Sequence, residues 1–507
     1  MSKPEIPAIQ NVTAGRAVRC AAERAPEKVA ISFEDRSLTY RELADRISRV
    51  AALSSEKWAL GAGDRVVLLA PNCIEYAELL FGLTEMGVVV ATLNPSLTSS
   101  ELKKIVADCD PTLVIAHNEL RDVVDSALPT ETFGGNQTDL IKDIQPIDNY
   151  PAITEEHPFV IGYTSGTTGD PKGVVLSHRS RTWTLMAMGV EWGCFGPNDD
   201  FLLMTPLFHA AGFVFLAAPL MFGGTVTITR SFDVDRAITL LSTDRHTGVF
   251  LVPTMIHRML DSLAESNIPF PGETLKTVIS NAAALPQATK EKVVNQWGEG
   301  LLHETYGATE YGIVTNIRPE DQLLKEDSVG TPFANMEAQI RDQDGHVING
   351  EGTGLLYARG PSTFSGYWRN PAETRKAVQD GWVTVGDVAR RDKDGCYYIV
   401  DRAKDMVVSG GVNIYPREIE KVLMALPDVV ECAVIGVPDS EWGERLRAFV
   451  VAADSARLTS SQIIEHCRNQ LASAKIPRDI LFTDDLPKNA SGKVLKNRLR
   501  ERKKREQ

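Results

Sequence analysis

Apolar and polar positions along the chain alternate in two distinct periods. Segments with helical spacing, such as 74–86, lie between short apolar runs, and two of them follow a Thr-x-x-Glu capping box, at Thr39 and at Thr98. The short apolar runs predict buried strands, at 65–70, 88–92, 200–204, 225–228, 249–252 and 277–279. This alternation predicts α/β layers with a largely parallel sheet.

The pattern changes beyond residue 328. Glycine and β-type residues become more frequent as far as 398, which predicts a smaller, more antiparallel subdomain. A charged segment at 401–405 is a candidate boundary, and a segment rich in Pro, Gly, Asn and Asp at 128–156 is predicted to be a linker. The last part of the chain predicts further elements at 416–426, 431–436, 448–451 and 460–471, followed by a basic tail at 498–505 that is interpreted as a solvated helix face.

Composition narrows the class of protein. The 507 residues are too many for one core, and the 43% hydrophobic and 24% charged fractions are typical of a soluble globular protein. A net charge of −13 argues against nucleic acid as the main partner. Seven scattered cysteines without a Cys-x-x-Cys pair predict reduced thiols, no zinc site and a cytoplasmic location.

The most apolar region, 201–228, is the obvious candidate for a membrane segment. Prolines, a histidine and two glycines interrupt it, and the longest uninterrupted run, 213–222, is too short to span a bilayer. We therefore expect buried core and no integral membrane segment, which leaves peripheral membrane contact open. A homodimer also stays open.

One stretch, 163–173, has the composition of a phosphate-binding loop. It packs three glycines, four aliphatic hydroxyls and Lys172 into eleven residues, directly after the apolar run 159–161. Glycines let the backbone turn its N–H groups inward, and the hydroxyls and the lysine add further donors. The stretch is not a Walker A loop, because the Gly-Lys-Ser/Thr ending is absent. A solvent-facing flexible loop is the alternative for such a composition.

Three further motifs suggest nucleotide chemistry. In the heptapeptide 304–310, a carboxylate beside a hydroxyl can hold Mg²⁺ and Tyr306 can stack on adenine, while a polar loop is an equally good interpretation. The run 382–387 reads as an apolar strand ending in Gly-Asp, and Asp387 with Arg402 could bind a ribose, although each alone is more often a turn or surface residue. Lys493 lies in a Ser-Gly turn before the basic tail.

Together these motifs resemble the adenylate-forming (ANL) superfamily, in its acyl-CoA synthetase branch, over nearly the whole chain. The shared segments are 164–173, 306–310, 386–387, 401–405, 409–420 and 492–493. Any one is weak, but six in register are a strong signal. The resemblance implies an AMP-forming acid–CoA ligase that uses ATP, Mg²⁺ and CoA. It would first form an acyl-adenylate and pyrophosphate, and a thiol would then displace AMP.

The resemblance also implies a role for each matching residue. Thr164 and Glu310 would meet Mg²⁺, and Lys493, Glu310, Thr309 and His209 would form the catalytic set. Lys493 would neutralise the carboxylate and the phosphate that must meet. The nucleotide and thiol contacts would be Thr164, Ser165, Gly166, Thr167, Thr168, Gly169, Lys172, Ala283, Glu304, Thr305, Tyr306, Gly307, Thr309, Asp387, Arg402, Lys404, Ser409, Gly410, Gly411 and Lys493.

The implied fold is α/β. A large N-terminal domain, 1–402, would hold layered α/β subdomains and a β-rich subdomain, and a small mobile α+β domain, 403–507, would rotate about a hinge near Lys404. The rotation would withdraw Lys493 and bring Ser409, Gly410 and Gly411 to a pantetheine tunnel, since the two half-reactions need different walls.

The chain departs from the family pattern in two places that bear on the substrate. Glu304 replaces the usual amide residue before the tyrosine, and the run 280–285 lacks the family's glycine and proline. His209 stands where amino-acid-activating relatives have aspartate, and small residues at 210–212, 282–283 and 307 suggest room for a medium-sized apolar, fatty, aromatic or alicyclic acid. Acyl transfer to a carrier protein, a luciferase-like oxidation and a catalytically silent nucleotide-binding protein are the alternatives.

Overall fold

A computed structural model describes residues 13–124, 128–134, 139–165, 171–243, 245–410, 412–453, 458–488 and 494–502. The chain divides into two compact units. The first extends to Ala338 and includes Ala358–Val383, and the second contains Gln339–Tyr357 and resumes at Thr384. The predicted domain boundary at 402/403 lies inside the second unit and stays a prediction.

Two helices begin at the capping boxes that the sequence predicted. The boxes at Thr39 and Thr98 are both formed: each threonine hydroxyl accepts from the N–H of the third helical residue, whose glutamate bonds back to the threonine N–H. The described helices are α1 (Ala14–Arg24), α2 (Tyr40–Glu56), α3 (Ile74–Glu85), α4 (Ser99–Cys109), α5 (His178–Trp192), α6 (Ala210–Phe222), α7 (Val234–Leu241), α8 (Pro253–Ser266), α9 (Gln287–Trp297), α10 (Pro371–Ala377), α11 (Pro416–Met424), α12 (Ser460–Gln470) and α13 (Lys496–Arg502).

Strands alternate with these helices in the first unit and predominate from residue 331 to 414. Those up to residue 332 are β1 (Val29–Phe33), β2 (Arg36–Thr39), β3 (Arg65–Leu69), β4 (Val89–Leu93), β5 (Leu113–His117), β6 (Thr130–Phe133), β7 (Pro158–Ser165), β8 (Pro171–Ser177), β9 (Asp200–Leu203), β10 (Thr225–Ile228), β11 (Gly248–Leu251), β12 (Thr277–Ser280), β13 (Leu302–Ala308), β14 (Gly312–Ile317) and β15 (Thr331–Pro332). The others are β16 (Glu337–Arg341), β17 (Val347–Ile348), β18 (Gly352–Arg359), β19 (Gly366–Tyr367), β20 (Val378–Gln379), β21 (Trp382–Val383), β22 (Asp387–Arg391), β23 (Tyr397–Arg402), β24 (Val407–Ser409), β25 (Val412–Ile414), β26 (Val429–Asp439), β27 (Gly443–Ala452) and β28 (Asp479–Phe482).

Two sheets form the first unit, and both are parallel in the middle. One has the order β15-β14-β13-β12-β11-β9-β10-β1-β2, and the other β19-β8-β7-β4-β3-β5-β6. In the first sheet the neighbours from β13 through β12, β11, β9 and β10 to β1 pair in parallel, and β14 and β2 add antiparallel strands on either side. In the second sheet the neighbours from β7 through β4, β3 and β5 to β6 pair in parallel, and β8 adds an antiparallel strand beside β7. The predicted α/β class is therefore confirmed. The segment predicted to be a linker is partly a strand, because β6 pairs with β5.

The second unit is mainly antiparallel. β18 pairs with β22 and β22 with β23, as the glycine-rich segment predicts. β17 and β16 extend the same sheet beside β18. The strands from β24 onward form a separate sheet in the order β25-β24-β27-β26, with β28 parallel to β27. Its core contains Ile419, Leu423, Val434, Ala448 and Ile463, which are all buried.

Two sequence-based interpretations in this unit are wrong. The strand β21 ends at Val383, and Asp387 begins β22 after a turn in which Gly386 has a φ of +83°. The basic tail is also not simply a solvated helix face. In α13, Leu499 is 1% exposed and Arg500 donates to Asp405 over 2.9 Å.

The apolar region around 201–228 is core, as predicted. Residues Gly212 to Leu220 of α6 are buried. No helix in the described ranges of the chain is both long enough and apolar enough to cross a membrane.

Candidate active site

The phosphate-loop candidate connects two paired strands. β7 and β8 form an antiparallel hairpin in which Thr164 lies opposite Lys172 and Ser165 opposite Pro171. The pairing places the Thr164 and Lys172 positions side by side at the base of the loop. Gly166, Thr167, Thr168 and Gly169, at the tip, lie outside the described residues, so their contacts stay predictions.

A second hairpin presents Thr309 and Glu310. β13 and β14 are paired on either side of these residues, and a Cβ atom at Gly307 would overlap the carbonyl oxygen of Gly312. Gly307 therefore allows the two strands to approach each other and does not leave open space. Gly162 is on β7, two residues before Thr164, and a Cβ atom at this position would lie 3.3 Å from Thr309 Cγ2. Thr309 therefore packs beside β7 close to Thr164.

A segment that the sequence analysis missed links the two hairpins. The N–H of Trp368 donates to Gly173 O over 2.7 Å, on the strand that leaves the phosphate loop. The N–H of Phe364 donates to Glu310 O, and the hydroxyl of Tyr367 donates to Glu310 Oε1, both over 2.9 Å. Glu310, the predicted metal ligand, is thus held in place through both its backbone carbonyl and its side chain.

Lys172 also has a partner in this segment. Its Nζ lies 2.5 Å from Glu373 Oε2, and Lys376 Nζ lies 2.7 Å from Glu373 Oε1. The hydrogen bonds from Lys172 and then Lys376 lower the pKa of Glu373 to about 2. Neither Tyr367 nor Glu373 stands in a motif with a distinctive spacing, so only the structure reveals them.

The unusual Glu304 is explained by a buried ion pair. Its Oε2 lies 2.5 Å from Lys290 Nζ, and the two side chains are only 4% and 1% exposed. Its Oε1 accepts from the N–H of Leu285 over 2.9 Å. One carboxylate oxygen therefore faces Lys290 and the other accepts from Leu285, inside the protein and on the same strand, β13, as Thr305 and Tyr306.

The residues beside Tyr306 are partly polar and partly exposed. Thr305 accepts a 2.6 Å hydrogen bond from Asn281 Nδ2, and Tyr306 is half-buried with its ring 6.4 Å from that of Tyr311. Ala282 has a φ of +78°, a conformation that favours glycine, and Ala283 is exposed. The left-handed conformation thus occurs at Ala282, one position after Asn281, which stands where the family has its glycine.

His209 stands immediately before α6. Its ring lies 4.2 Å from that of Phe208, and its side chain does not cap the helix. Burial lowers the pKa of His209 below 6.5, so the imidazole is neutral at pH 7. A Cβ atom at Gly212 would overlap the carbonyl oxygen of Pro206, so this glycine serves close packing and does not add room for a substrate.

The second unit brings Asp387 and Arg402 together. They lie opposite each other in the β22–β23 pair, with Arg402 Nε 3.2 Å from Asp387 Oδ1. Lys404 follows in a short 3₁₀ helix and is exposed. Ser409 ends β24, and Gly410 turns the chain with a φ of +58° and donates its N–H to Trp442 O. Gly411 and Lys493 lie outside the described residues.

A side chain that the sequence did not single out connects the two sides of Lys404. Asp401 Oδ2 accepts the N–H of Arg417, at the start of α11, over 2.9 Å. The Arg417 guanidinium in turn donates to Ile399 O over 3.1 Å. These bonds tie β23 to α11 across the predicted hinge position.

The residues at the two hairpins fit a hard divalent cation. A carboxylate and a hydroxyl are oxygen ligands of the type Mg²⁺ prefers. Among the described residues, Glu310 Oε2 has no hydrogen-bond partner, while Oε1 accepts only from Tyr367. Glu310 can therefore offer an oxygen without losing its orienting contact.

Comparisons with known proteins agree with this arrangement. A family model described as AMP-binding enzyme matches residues 18–368, and one described as AMP-binding enzyme C-terminal domain matches residues 418–493. A feruloyl-CoA synthase from Amycolatopsis sp is 33% identical over 486 residues, which cover 95% of this chain and 97% of that protein.

Solved structures are similar over the same length. ATP-bound MatB from Rhodopseudomonas palustris has a TM-score of 0.90 at 30% identity, covering 97% of this chain and 99% of that one. O-succinylbenzoate Coenzyme A Synthetase (MenE) from Bacillus subtilis, in complex with ATP and magnesium ion, has a TM-score of 0.87 at 26% identity, covering 97% and 100%. The chain therefore belongs to the AMP-binding enzyme family, in the acyl-CoA synthetase branch of the adenylate-forming superfamily, and is an AMP-forming acid–CoA ligase.

Proposed function

We propose that this ligase activates a medium-sized acid whose body, apart from the reacting carboxylate, is uncharged and apolar, aromatic or alicyclic. MgATP and the acid would give an acyl-adenylate and pyrophosphate, and CoA would then give the thioester and AMP. The observation that carries the proposal is the meeting of the two hairpins, with Thr309 packed beside the strand that bears Thr164.

The roles of the residues follow from their chemistry. Thr164 and Glu310 would hold Mg²⁺, which would screen the phosphate charge. Lys172 would bind the departing phosphates, and Asp387 with Arg402 would bind the ribose. Lys493 would lie between the attacking carboxylate and the α-phosphate, where a cation offsets the repulsion of two anions.

The surroundings of His209 favour a substrate that carries no charge beyond its reacting carboxylate. The imidazole is neutral at pH 7 because burial lowers its pKa, and it stands beside the Phe208 ring. A neutral, aromatic wall does not compensate a charge on the substrate, and desolvating an unpaired charge is strongly unfavourable. The feruloyl-CoA synthase relative, at 33% identity, makes an aromatic acid a reasonable first choice.

The test is a panel of acids assayed for CoA-dependent AMP release. Ferulate, benzoate, cyclohexanecarboxylate, octanoate and palmitate would be compared with malonate and glycine at equal concentration. We expect the highest kcat/KM with an aromatic, alicyclic or medium-chain acid. A preference for malonate or glycine would overturn the proposal. A pantetheinylated carrier protein offered in place of CoA tests the acceptor, and a preference for it would overturn the choice of CoA.

A further inference from the structure

Glu373 lies at the junction between the phosphate-loop hairpin and α10. Its carboxylate binds two lysines, with Lys172 2.5 Å from one oxygen and Lys376 2.7 Å from the other. Its backbone N–H is separately held by Asn370 Oδ1 over 3.1 Å, which caps the helix. The Glu373 side chain is therefore not needed for the cap, so its carboxylate can have a different role.

The Lys172 pair is well ordered by its surroundings. The Lys172 side chain is 16% exposed and that of Glu373 is 28% exposed, so water screens their attraction only in part. Lys172 Nζ also lies 5.5 Å from the centre of the Tyr367 ring, whose hydroxyl binds Glu310. Lys172, the lysine of the phosphate loop, thus has a carboxylate partner on α10 that a bound phosphate would have to compete with.

We propose that Glu373 is a positioning residue that competes with pyrophosphate for Lys172 and so promotes release of this product. The inference rests on the proposed function, because it needs a polyphosphate at the loop. A bound polyphosphate draws the Lys172 ammonium away from Glu373. When the bond to the α-phosphate has broken, the carboxylate takes the ammonium back and weakens the hold on pyrophosphate. No covalent bond changes in this step.

The two functions of such a pair impose opposite requirements. A lysine without a carboxylate partner would bind ATP more tightly, but it would also bind pyrophosphate more tightly. When pyrophosphate release limits the rate, tighter binding of this product slows turnover. A carboxylate next to the lysine lowers both affinities by a similar factor. Lys376, which is 74% exposed, keeps Glu373 from adding a full negative charge beside the incoming nucleotide.

The experiment is a calorimetric titration of the full-length protein with magnesium pyrophosphate and, separately, with MgATP. Glu373→Gln keeps the shape of the side chain and removes its charge. We expect this variant to bind pyrophosphate about three- to fivefold more tightly than the wild type, the scale of a partly exposed ion pair. Stopped-flow detection of free pyrophosphate should show slower pyrophosphate release in the variant.

Asp110→Asn is the matched control. It removes one negative charge in the same unit, from a side chain that binds Arg369 over 2.7 Å and is not bonded to Lys172. Equal or weaker pyrophosphate binding by Glu373→Gln would overturn the inference, and so would equal tightening in Asp110→Asn, which would reveal only an effect of overall charge. Failure of the wild type to bind MgATP would instead overturn the proposed function.

Discussion

The buried pair of Lys290 and Glu304 allows a quantitative prediction. Lys290→Met keeps the length of the side chain and removes the ammonium, leaving the carboxylate of Glu304 enclosed with the N–H of Leu285 as its remaining partner. Breaking a buried pair by removing one partner typically costs about 3–5 kcal/mol, because it leaves an uncompensated charge. The variant should therefore be much less stable than the wild type at pH 7.

Protonation sets an upper limit on this loss. A glutamate in an unfolded chain has a pKa of about 4.3, so neutralising the carboxyl at pH 7 costs about 3.7 kcal/mol, at 1.36 kcal/mol for each pH unit. At pH 5.5 the same step costs about 1.6 kcal/mol. The destabilisation caused by Lys290→Met should thus shrink by about 2 kcal/mol between the two pH values, because a lower pH supplies the missing proton more easily.

The assay is urea unfolding of both proteins at pH 7.0 and pH 5.5, with amide hydrogen exchange in α9 as a local measure of stability. The double variant Lys290→Met with Glu304→Gln is the control, since it removes both charges. It should recover most of the loss, because a buried pair can be replaced by neutral groups at little net cost. A loss below about 1 kcal/mol at pH 7, or a double variant no more stable than the single one, would refute the reasoning.

Three other substitutions test separate parts of the structure. Burial lowers the pKa of His178 to about 3, so below pH 6.5 the unfolded chain binds a proton that the folded chain does not. The free energy of unfolding should therefore fall by about 2 kcal/mol between pH 6.5 and 5.0. His178→Phe should remove most of this pH dependence, as measured by urea unfolding. Gly307→Ala should separate the β13–β14 strands, costing about 1–3 kcal/mol and lowering the rate of adenylation. Lys493→Ala should lower adenylate formation about 10²- to 10³-fold while thioester formation from supplied acyl-adenylate continues.

Each of these expectations has an outcome that contradicts it. His257 is exposed, so His257→Gln should leave the pH slope unchanged, and equal slopes in wild type and His178→Phe would count against the buried histidine. Gly61 has open space around its Cβ position, and Gly61→Ala should be neutral. An unchanged rate of adenylation in Gly307→Ala would contradict a role of the β13–β14 hairpin in catalysis. Equal loss of both half-reactions in Lys493→Ala would contradict a lysine that acts only in the first.

Local patterns predicted the elements well because their causes are local. The capping boxes at Thr39 and Thr98 form as expected, and β10 has the bounds that the apolar run predicted. The parallel sheet followed from alternation alone. The motifs singled out Thr164, Thr309 and Glu310, but the two hairpins that carry these residues were not predicted and come from the structure.

What the sequence could not show are partners distant along the chain. The partner of Glu304 is 14 residues upstream on α9, and that of Lys172 is 201 residues downstream on α10. Each is an ordinary charged residue with no motif, and only the packing of elements selects it. Asp387 was misplaced for a related reason, because Gly386 turns the chain where apolar character alone suggested a continuous strand.

The bonds of Asp401 have a consequence for the proposed rotation at Lys404. The helix α11 has no capping side chain of its own at Tyr415, and the free N–H of Arg417 in its first turn is satisfied by Asp401, which belongs to the strand before the hinge. If the predicted rotation takes place, it would be coupled to the capping of α11. A turn about Lys404 that carries α11 away from β23 uncaps the helix, which typically costs about 0.5–2 kcal/mol. Under the predicted rotation, Asp401 would favour the orientation in which α11 is capped, and Asp401→Asn would shift the balance of the two half-reactions without touching either substrate.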